Sequence, residues 1–539
     1  MPENKIGDEQ SRILRCWWMF ELFSPQKMPK SKVVEKKNKK AGKQYVDIFY
    51  QAIEWGHGDD LPWDMRSGLR VPTEYEWEKE WEHSVYLGVY SLGATYQWLH
   101  RVFEDDADAY EAQPSEESAC AAFVVDHQGQ VVPETAILSS ALWGVGRLRD
   151  PGPHDPAWSE GFDDTAASFT ARFDGIAEKL LREVYQNSFS ARHVEPRLTM
   201  GILQRLCRFA QEVAGVDGIR DLATNRIMIE SRLVKKKDDS RKAKDKKPKL
   251  DFLNSLFLRD LNKVRYSGVA SGSALDEYLT SEYELPRDQR IDVIAQPDVV
   301  KEGTRAERIP LGRWPANPAH GLALSQQFAV NKVLTELADR RGIMGVNGPP
   351  GTGKTTMLRD ILAGNVVERA CKLAELDDPN DAFLPTEYAM EAGGYPHNFY
   401  PLRPDLTGFE MIVASSNNSA VQNVSTEVPE LSAIDKRWQG ERGYFEDLAS
   451  RVLSGALKKD DEKGVNAKAW GLVAATLGNK KKRAAFQSMF WFDEKLTKEL
   501  KKQKREPVLG MLERLKRWRD GVWIPKTWDE ARRDFSQAC

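Results

Sequence analysis

The segment Gly348-Pro349-Pro350-Gly351-Thr352-Gly353-Lys354-Thr355 constrains what the second half of this chain can fold into. It fits the pattern G-x-x-x-x-G-K-[ST] at every fixed position. A short apolar run, 343–347 (IMGVN), precedes it, and Met357, Leu358, Ile361, Leu362 and Val366 follow at helical spacing. Strand, loop and helix therefore come in the order a phosphate-binding loop requires. Glycines let backbone N–H groups turn toward phosphate oxygens where a side chain would clash. The helix N-terminus adds partial positive charge. Lys354 is set to reach the β- and γ-phosphates of a nucleotide, and Thr355 to hold the Mg²⁺ that bridges them. ATP or GTP binding is the expectation. Gly348, Pro349, Pro350, Gly351, Thr352, Gly353, Lys354, Thr355 and Thr356 form the cofactor site, Lys354 and Thr355 being its catalytic members.

Length and charge bound the rest. At roughly 100–200 residues per domain, 539 residues allow about three or four domains. A net charge of −3 excludes a uniformly basic nucleic-acid coat but not a local basic groove. The five cysteines, Cys16, Cys120, Cys207, Cys371 and Cys539, show no metal-ligand spacing and are odd in number. That argues against a disulfide framework and structural zinc, and for a reducing, cytoplasmic setting. Residues 1–10 are polar and are no signal peptide. The most apolar stretch, 86–99, is interrupted by Ser91, Thr95 and Gln97 and reads as a buried helix rather than a membrane span. The tryptophans, including Trp17, Trp18, Trp55, Trp63, Trp77 and Trp81, read as core packing, with base stacking as the sharper alternative.

Punctuation along the chain suggests three parts. Residues 1–230 read as an accessory region, mainly helical, with helices over 11–23, 74–103 and 168–213 and a hairpin near 121–133 turning at 126–129 (DHQG). The lysine-rich stretch 30–43 and the acidic stretch 104–117 read as surface loops. Residues 231–310 read as a basic connecting segment. Its run 235–249 holds nine Lys/Arg against three Asp, and reads as a mobile linker or a phosphate contact. Residues 311–539 carry the phosphate-binding loop.

Three neighbouring segments separate the families that share this octapeptide. Upstream, 322–330 (LALSQQFAV) resembles the Q-motif of superfamily 1 helicases, in which a glutamine amide reads the adenine edge. The register favours Gln326, with Gln327 as the fallback. Downstream, 411–424 (MIVASSNNSAVQNV) resembles motif Ia of the up-frameshift-type, 5′→3′ branch of that superfamily. The resemblance implies that Ser416, Asn417 and Asn418 contact the backbone of single-stranded nucleic acid. An AAA+ ATPase would be expected to show an Asp-Glu strand end here instead. Third, 470–479 (WGLVAATLGN) is similar to the Thr-bearing strand end that follows motif Ia, which adds Thr476, with Lys480 to Arg483 as a backbone contact or a solvated loop.

The resemblance covers about 320–480 and implies an α/β fold: a P-loop NTPase with a RecA-like parallel sheet and flanking helices, preceded by the α+β accessory region. It implies an ATP-driven helicase or translocase with ATP and Mg²⁺ as cofactors, single-stranded DNA or RNA as partner, and no membrane. The family also has an Asp-Glu strand end that activates water. Asp493-Glu494, after 489–492 (MFWF), is the one candidate, against an amphipathic helix carrying both acids on its wet face. A second RecA-like lobe does not fit in the remaining residues, so the chain is expected to be the N-terminal portion of a longer helicase. The runner-up is a P-loop ATPase acting on a protein partner as a switch or assembly factor.

Overall fold

A computed structural model describes residues 8–29, 33–37, 44–54, 60–64, 79–103, 114–186, 196–235, 253–280, 290–338, 342–349, 351–392, 395–415, 418–439, 445–456, 467–478, 480–496, 506–523 and 526–538. The chain divides into two compact units, 1–271 and 272–539. The division falls inside the segment expected to connect the two halves.

The first unit is built on an antiparallel sheet. Its strands are β1 (Val34–Lys37), β2 (Gln44–Glu54), β3 (Lys79–Ser91), β4 (Glu117–Val125), β5 (Ile137–Leu138) and β6 (Arg226–Lys235), in the order β1-β2-β6-β3-β4-β5. The helices are α1 (Asp8–Leu22), α2 (Leu92–Phe103), α3 (Ser140–Arg149), α4 (Phe162–Gln186), α5 (Met200–Ala214) and α6 (Phe257–Ser267). Val85, Leu87, Phe123 and Ile229 share a large core with Phe169, Phe173, Leu203 and Leu206 of α4 and α5. Tyr86, Ala122, Val124 and Met228 face the other way, under Leu253.

Three expectations are corrected here. Residues 79–91 form β3 instead of the first half of a helix over 74–103, and the run 86–99 is strand and then helix. Over 85–90 both faces of β3 are buried, so this part is a continuous apolar run, whose period cannot separate strand from helix. Its β-branched and aromatic residues Val85, Tyr86, Val89 and Tyr90 favour the strand. Within the lysine-rich stretch, Val34–Lys37 is a strand rather than loop. Residues 104–113 and 236–252 lie outside the described residues. The acidic stretch ends in paired groups: Glu116 with Lys27 at 2.5 Å and Glu117 with Arg226 at 2.6 Å. After β4 the chain turns at Asp126–Gln130 and returns through a bridge from Val125 to Val131. Trp18, Trp63 and Trp81 are buried, while Trp55 and Trp77 lie outside the described residues.

Gly88 decides the alternation of β3. Its φ is +63°, so the pleat reverses there: Leu87 and Tyr90 both enter the larger core, and Val89 the smaller. A Cβ at 88 would stand 3.1 Å from Cys120 Cβ and 3.3 Å from Gln211 Nε2. Glycine therefore lets α5 approach the sheet. Gln211 Nε2 donates to Thr224 O at 2.8 Å, and Thr224 Oγ1 donates to Val89 O at 2.6 Å.

The second unit holds α7 (Ala274–Tyr278), α8 (Pro297–Gly303), α9 (Leu324–Glu336), α10 (Lys354–Ala374), α11 (Asn418–Glu427), α12 (Glu446–Ala456), α13 (Lys480–Trp491) and two closing helices, Met511–Arg519 and Trp528–Ala538. β7 (Tyr388–Ala392) and β8 (Tyr395–Phe399) pair antiparallel within the segment that separates the loop helix from 411–424. Apolar contacts gather in several small clusters, around Trp314, Leu376 and Ala449. The segments 343–347, 411–415 and 470–476, expected as strands, belong to neither sheet among the described residues.

His83, buried on β3, sets a pH dependence for the first unit. Its Nδ1 lies 2.7 Å from Ser231 Oγ, and its ring packs edge-on to Trp63 at 5.4 Å. Burial, aided by the nearby His127, depresses its pKa to about 3. The imidazole is therefore neutral when folded, and the unfolded chain takes up the proton. Stability from this group is complete above pH ~6.5 and is lost as pH falls toward the folded value. Urea titrations of the first unit should lose about 2 kcal/mol between pH 7 and pH 5 from His83 alone. His83→Asn keeps a hydrogen-bonding group for Ser231 and should flatten that slope; a slope equal to the parent's would mean another group carries it.

Candidate nucleotide-binding site

The loop ahead of α10 rests on two backbone reversals. Gly351 and Gly353 have φ of +84° and +79°, a region that costs a residue with a Cβ roughly 1–2 kcal/mol. Space adds a second reason at Gly353, where a Cβ would collide with Nε2 of Gln326. At Gly348 a Cβ would come within 2.7 Å of Thr352 Oγ1. That hydroxyl closes the turn by donating to Pro349 O at 2.8 Å.

Gly353 is the N-cap of α10, no side chain caps this end, and its first turn holds no acid. The first N–H groups of a helix have no intrahelical acceptor, so this terminus is suited to an anion. Lys354, exposed, folds back over the loop, its Nζ donating to Gly348 O and, at 2.9 Å, to Pro349 O. Thr355 and Thr356 are half-buried in the same first turn. An ammonium and an uncapped helix start therefore meet in a glycine turn. The group such a site can hold is a polyphosphate. Pro350 lies outside the described residues.

Gln326 reaches this loop and Gln327 does not. Gln326 accepts from Ala323 N–H at 2.9 Å, which fixes the start of α9, and its Nε2 donates to Thr352 O at 2.8 Å. Gln327 donates instead to Asn331 Oδ1 at 2.7 Å, and Asn331 donates to Gly303 O. One carboxamide thus joins the helix before the loop to the loop itself.

The loop helix is anchored by residues the sequence reading did not single out. Asp360, 5% exposed, accepts from Arg313 Nε at 3.0 Å and from Trp314 N–H at 3.3 Å. Trp314 Nε1 donates to Ala433 O at 2.8 Å, and the Trp470 ring meets it edge-on at 5.6 Å. The one available signal was an acid on the apolar side of the loop helix; its partners lie 46 and 47 residues upstream.

The remaining expected residues divide. Ser416 and Asn417 lie outside the described residues, and Asn418 opens α11. Thr476 is half-buried in the extended segment before α13. Asp493 and Glu494 do not end a strand: Met489 to Trp491 are the last turn of α13, whose aromatics favour helix packing over a central strand. Both acids lie just past that helix. Asp493 accepts from Gly510 N–H at 2.8 Å and Glu494 from Val508 N–H at 3.1 Å, so they fix the segment 508–510. Among the described residues no group of three or more His, Cys, Asp or Glu is arranged to hold a metal ion.

The two glutamines generate a paired prediction. Gln326→Ala removes the bond to Thr352 and one to Ala323. At about 1 kcal/mol per bond it should weaken binding of a fluorescent ATP analogue roughly 5- to 30-fold. Gln327→Ala should leave that affinity near the parent value; equal losses in both variants would sink the assignment. No protein-family model matches the chain, and neither a curated protein nor a solved structure does.

Proposed function

We propose that this chain is an ATP-binding helicase or translocase of the superfamily 1 type, in which ATP hydrolysis drives movement on single-stranded DNA or RNA. The observation that carries the reading is the coupling of Gln326 to the loop carbonyl of Thr352, beside Lys354 folded over Gly348 and Pro349. A phosphate loop alone fits many ATPases; a glutamine of the preceding helix placed beside the loop is consistent with the Q-motif of the helicase resemblance. The loop also passes a test of fit, because Gly353 has no room for a side chain and α10 has no competing cap.

In this reading Lys354 exchanges its two carbonyl partners for β- and γ-phosphate oxygens, and the N-terminal turn of α10 receives the β-phosphate. Gln326 reads the adenine edge from its fixed position. Thr355 is the residue that would hold Mg²⁺, which supplies charge neutralisation at the phosphates when bound. The segments 343–347, 411–415 and 470–476 are the strands of the proposed parallel RecA-like sheet. They carry exposed apolar residues, Ile343, Val346, Ile412 and Val413, of the kind such strands bury. Among the described residues no helix is long and apolar enough to cross a membrane, and a cytoplasmic setting is part of the proposal.

Lys354→Ala should reduce ATP affinity by about 10- to 100-fold, the worth of charge-assisted bonds to phosphate. Single-stranded oligonucleotide should raise the ATPase rate and bind in a salt-sensitive way. ATP binding with neither effect would reject the helicase reading in favour of an ATPase acting on a protein.

A further inference from the structure

Helix α13 has an unusual charge order. Its sequence, KKKRAAFQSMFW, puts four cations in the first turn and has no acid anywhere. A helix N-terminus carries partial positive charge and prefers acids there. Lys480, Lys481 and Arg483 are exposed, and none of the three has a carboxylate partner among the described residues. Arg483 spends one N–H on Leu477 O at 3.0 Å.

The other end of the helix is aromatic. Phe486 and Phe490 stack with centroids 5.2 Å apart and planes 12° apart, and Trp491 meets Phe490 edge-on at 5.4 Å. Trp491 is 40% exposed and Phe492 is 52% exposed. With 3.6 residues per turn, Lys480, Arg483, Gln487, Phe490 and Trp491 fall in one sector of about 100°. Met489 lies on the other side, close against Gly455 of α12. Phe490 is half-buried, as Met489 is, and Lys480, Arg483, Gln487 and Trp491 are exposed. From Lys480 to Trp491 the stripe is about 17 Å long at the helical rise, room for about five nucleotides stacked at roughly 3.4 Å each. Its basic end adjoins α11, where Lys482 Nζ reaches Gln422 Oε1 at 3.4 Å.

We infer that the outer face of α13 binds single-stranded nucleic acid, with Lys480 and Arg483 holding phosphates and Phe490 and Trp491 stacking bases; the inference rests on the function proposed above. Uncompensated cations beside flat rings match the two parts of a nucleotide chain, anionic backbone and π-faced base. An acidic peptide would use the cations and leave the rings idle.

The test is fluorescence anisotropy of a labelled oligo(dT) and oligo(U) with the 539-residue chain, across a salt series. Replacing Lys480 and Arg483 together by Ala should reduce the slope of log K against log salt by about 1.4, from two contacts at roughly 0.7 each. Phe490→Leu and Trp491→Ala should each weaken binding about 5- to 100-fold and leave that slope unchanged. Trp491 is exposed, so its variant keeps the test valid if Phe490→Leu disturbs folding, and retained ATP-analogue binding reports an intact second unit. Salt-sensitive binding by the parent that all these variants preserve overturns the α13 site and leaves the helicase reading standing. No salt-sensitive binding by the parent overturns both. Displacement of the oligonucleotide by polyglutamate as readily as by unlabelled oligo(dT) identifies an acidic-peptide surface and also overturns the site.

Discussion

The second unit depends on a buried carboxylate. Asp360 sits on the inner side of the loop helix, 5% exposed, and receives the Arg313 guanidinium and the Trp314 backbone N–H. Losing the guanidinium would leave a buried carboxylate with the Trp314 N–H as its remaining donor, at a cost reduced by the partial exposure of Arg313. The pair fixes the chain entering α9 against α10, and Trp314 then extends the connection to Ala433 and Trp470. Gly312 and Gly364 serve the same contact: a Cβ on Gly312 would collide with Ala363 O, and one on Gly364 would lie 2.7 Å from Leu334. The far end of α10 is fixed as well, by Trp528 Nε1 on Leu376 O and Arg532 Nε on Ala374 O. A helix held along its length in this way gives its N-terminus a defined position, which preorganised phosphate binding requires.

The first unit is organised on a different principle. Its sheet is covered on both faces, so burial rather than polar anchoring does most of the ordering. The rings of Phe123, Phe169, Phe173 and Phe209 lie 4.9 to 5.6 Å apart from one to the next across the sheet–helix junction. Several polar groups inside this core are matched, His83 with Ser231, Gln211 with Thr224, and Ser140 N–H with Asn254 at 2.8 Å, while Trp18 Nε1 and Trp81 Nε1 are buried without a hydrogen-bond partner among the described residues. This division accounts for the contrast with the second unit, whose apolar residues form separate small clusters and whose expected strand segments belong to no sheet among the described residues.

How far the sequence could be read follows from how local each signal is. The phosphate loop is eight consecutive residues whose backbone demands are written in glycine, and its helix is written in the spacing after it. Register with the family pattern favours Gln326 over Gln327; side-chain direction from α9, set by Ala323 and Thr352, separates them in the structure. The strand at 79–91 was hidden because burial on both sides erases the alternation that would reveal it, and Gly88 reverses what alternation remains. Asp493-Glu494 matched a two-letter pattern, but the preceding aromatics continue a helix. The Arg313–Asp360 pair had no readable signal, since nothing local in either segment names a partner so far along the chain.

Two helix starts in the second unit make opposite use of the same physics. At α10 the N-terminal turn has a glycine cap, no acid and one lysine, which bends back onto loop carbonyls and so finds neutral acceptors for its charge. At α13 the N-terminal turn has four cations, of which Arg483 donates to Leu477 O and Lys482 to Gln422 Oε1. The helix dipole opposes cations at both sites. At α10 that opposition is met within the chain, by a loop that also shapes the space for an anion. At α13 it is met mainly by solvent. An exposed arrangement of this kind weakens as salt screens it and strengthens when a polyanion replaces small counterions. In the proposed reading, the same backbone polarity gives α10 a compact site for one polyphosphate and α13 an extended surface for a chain of phosphates.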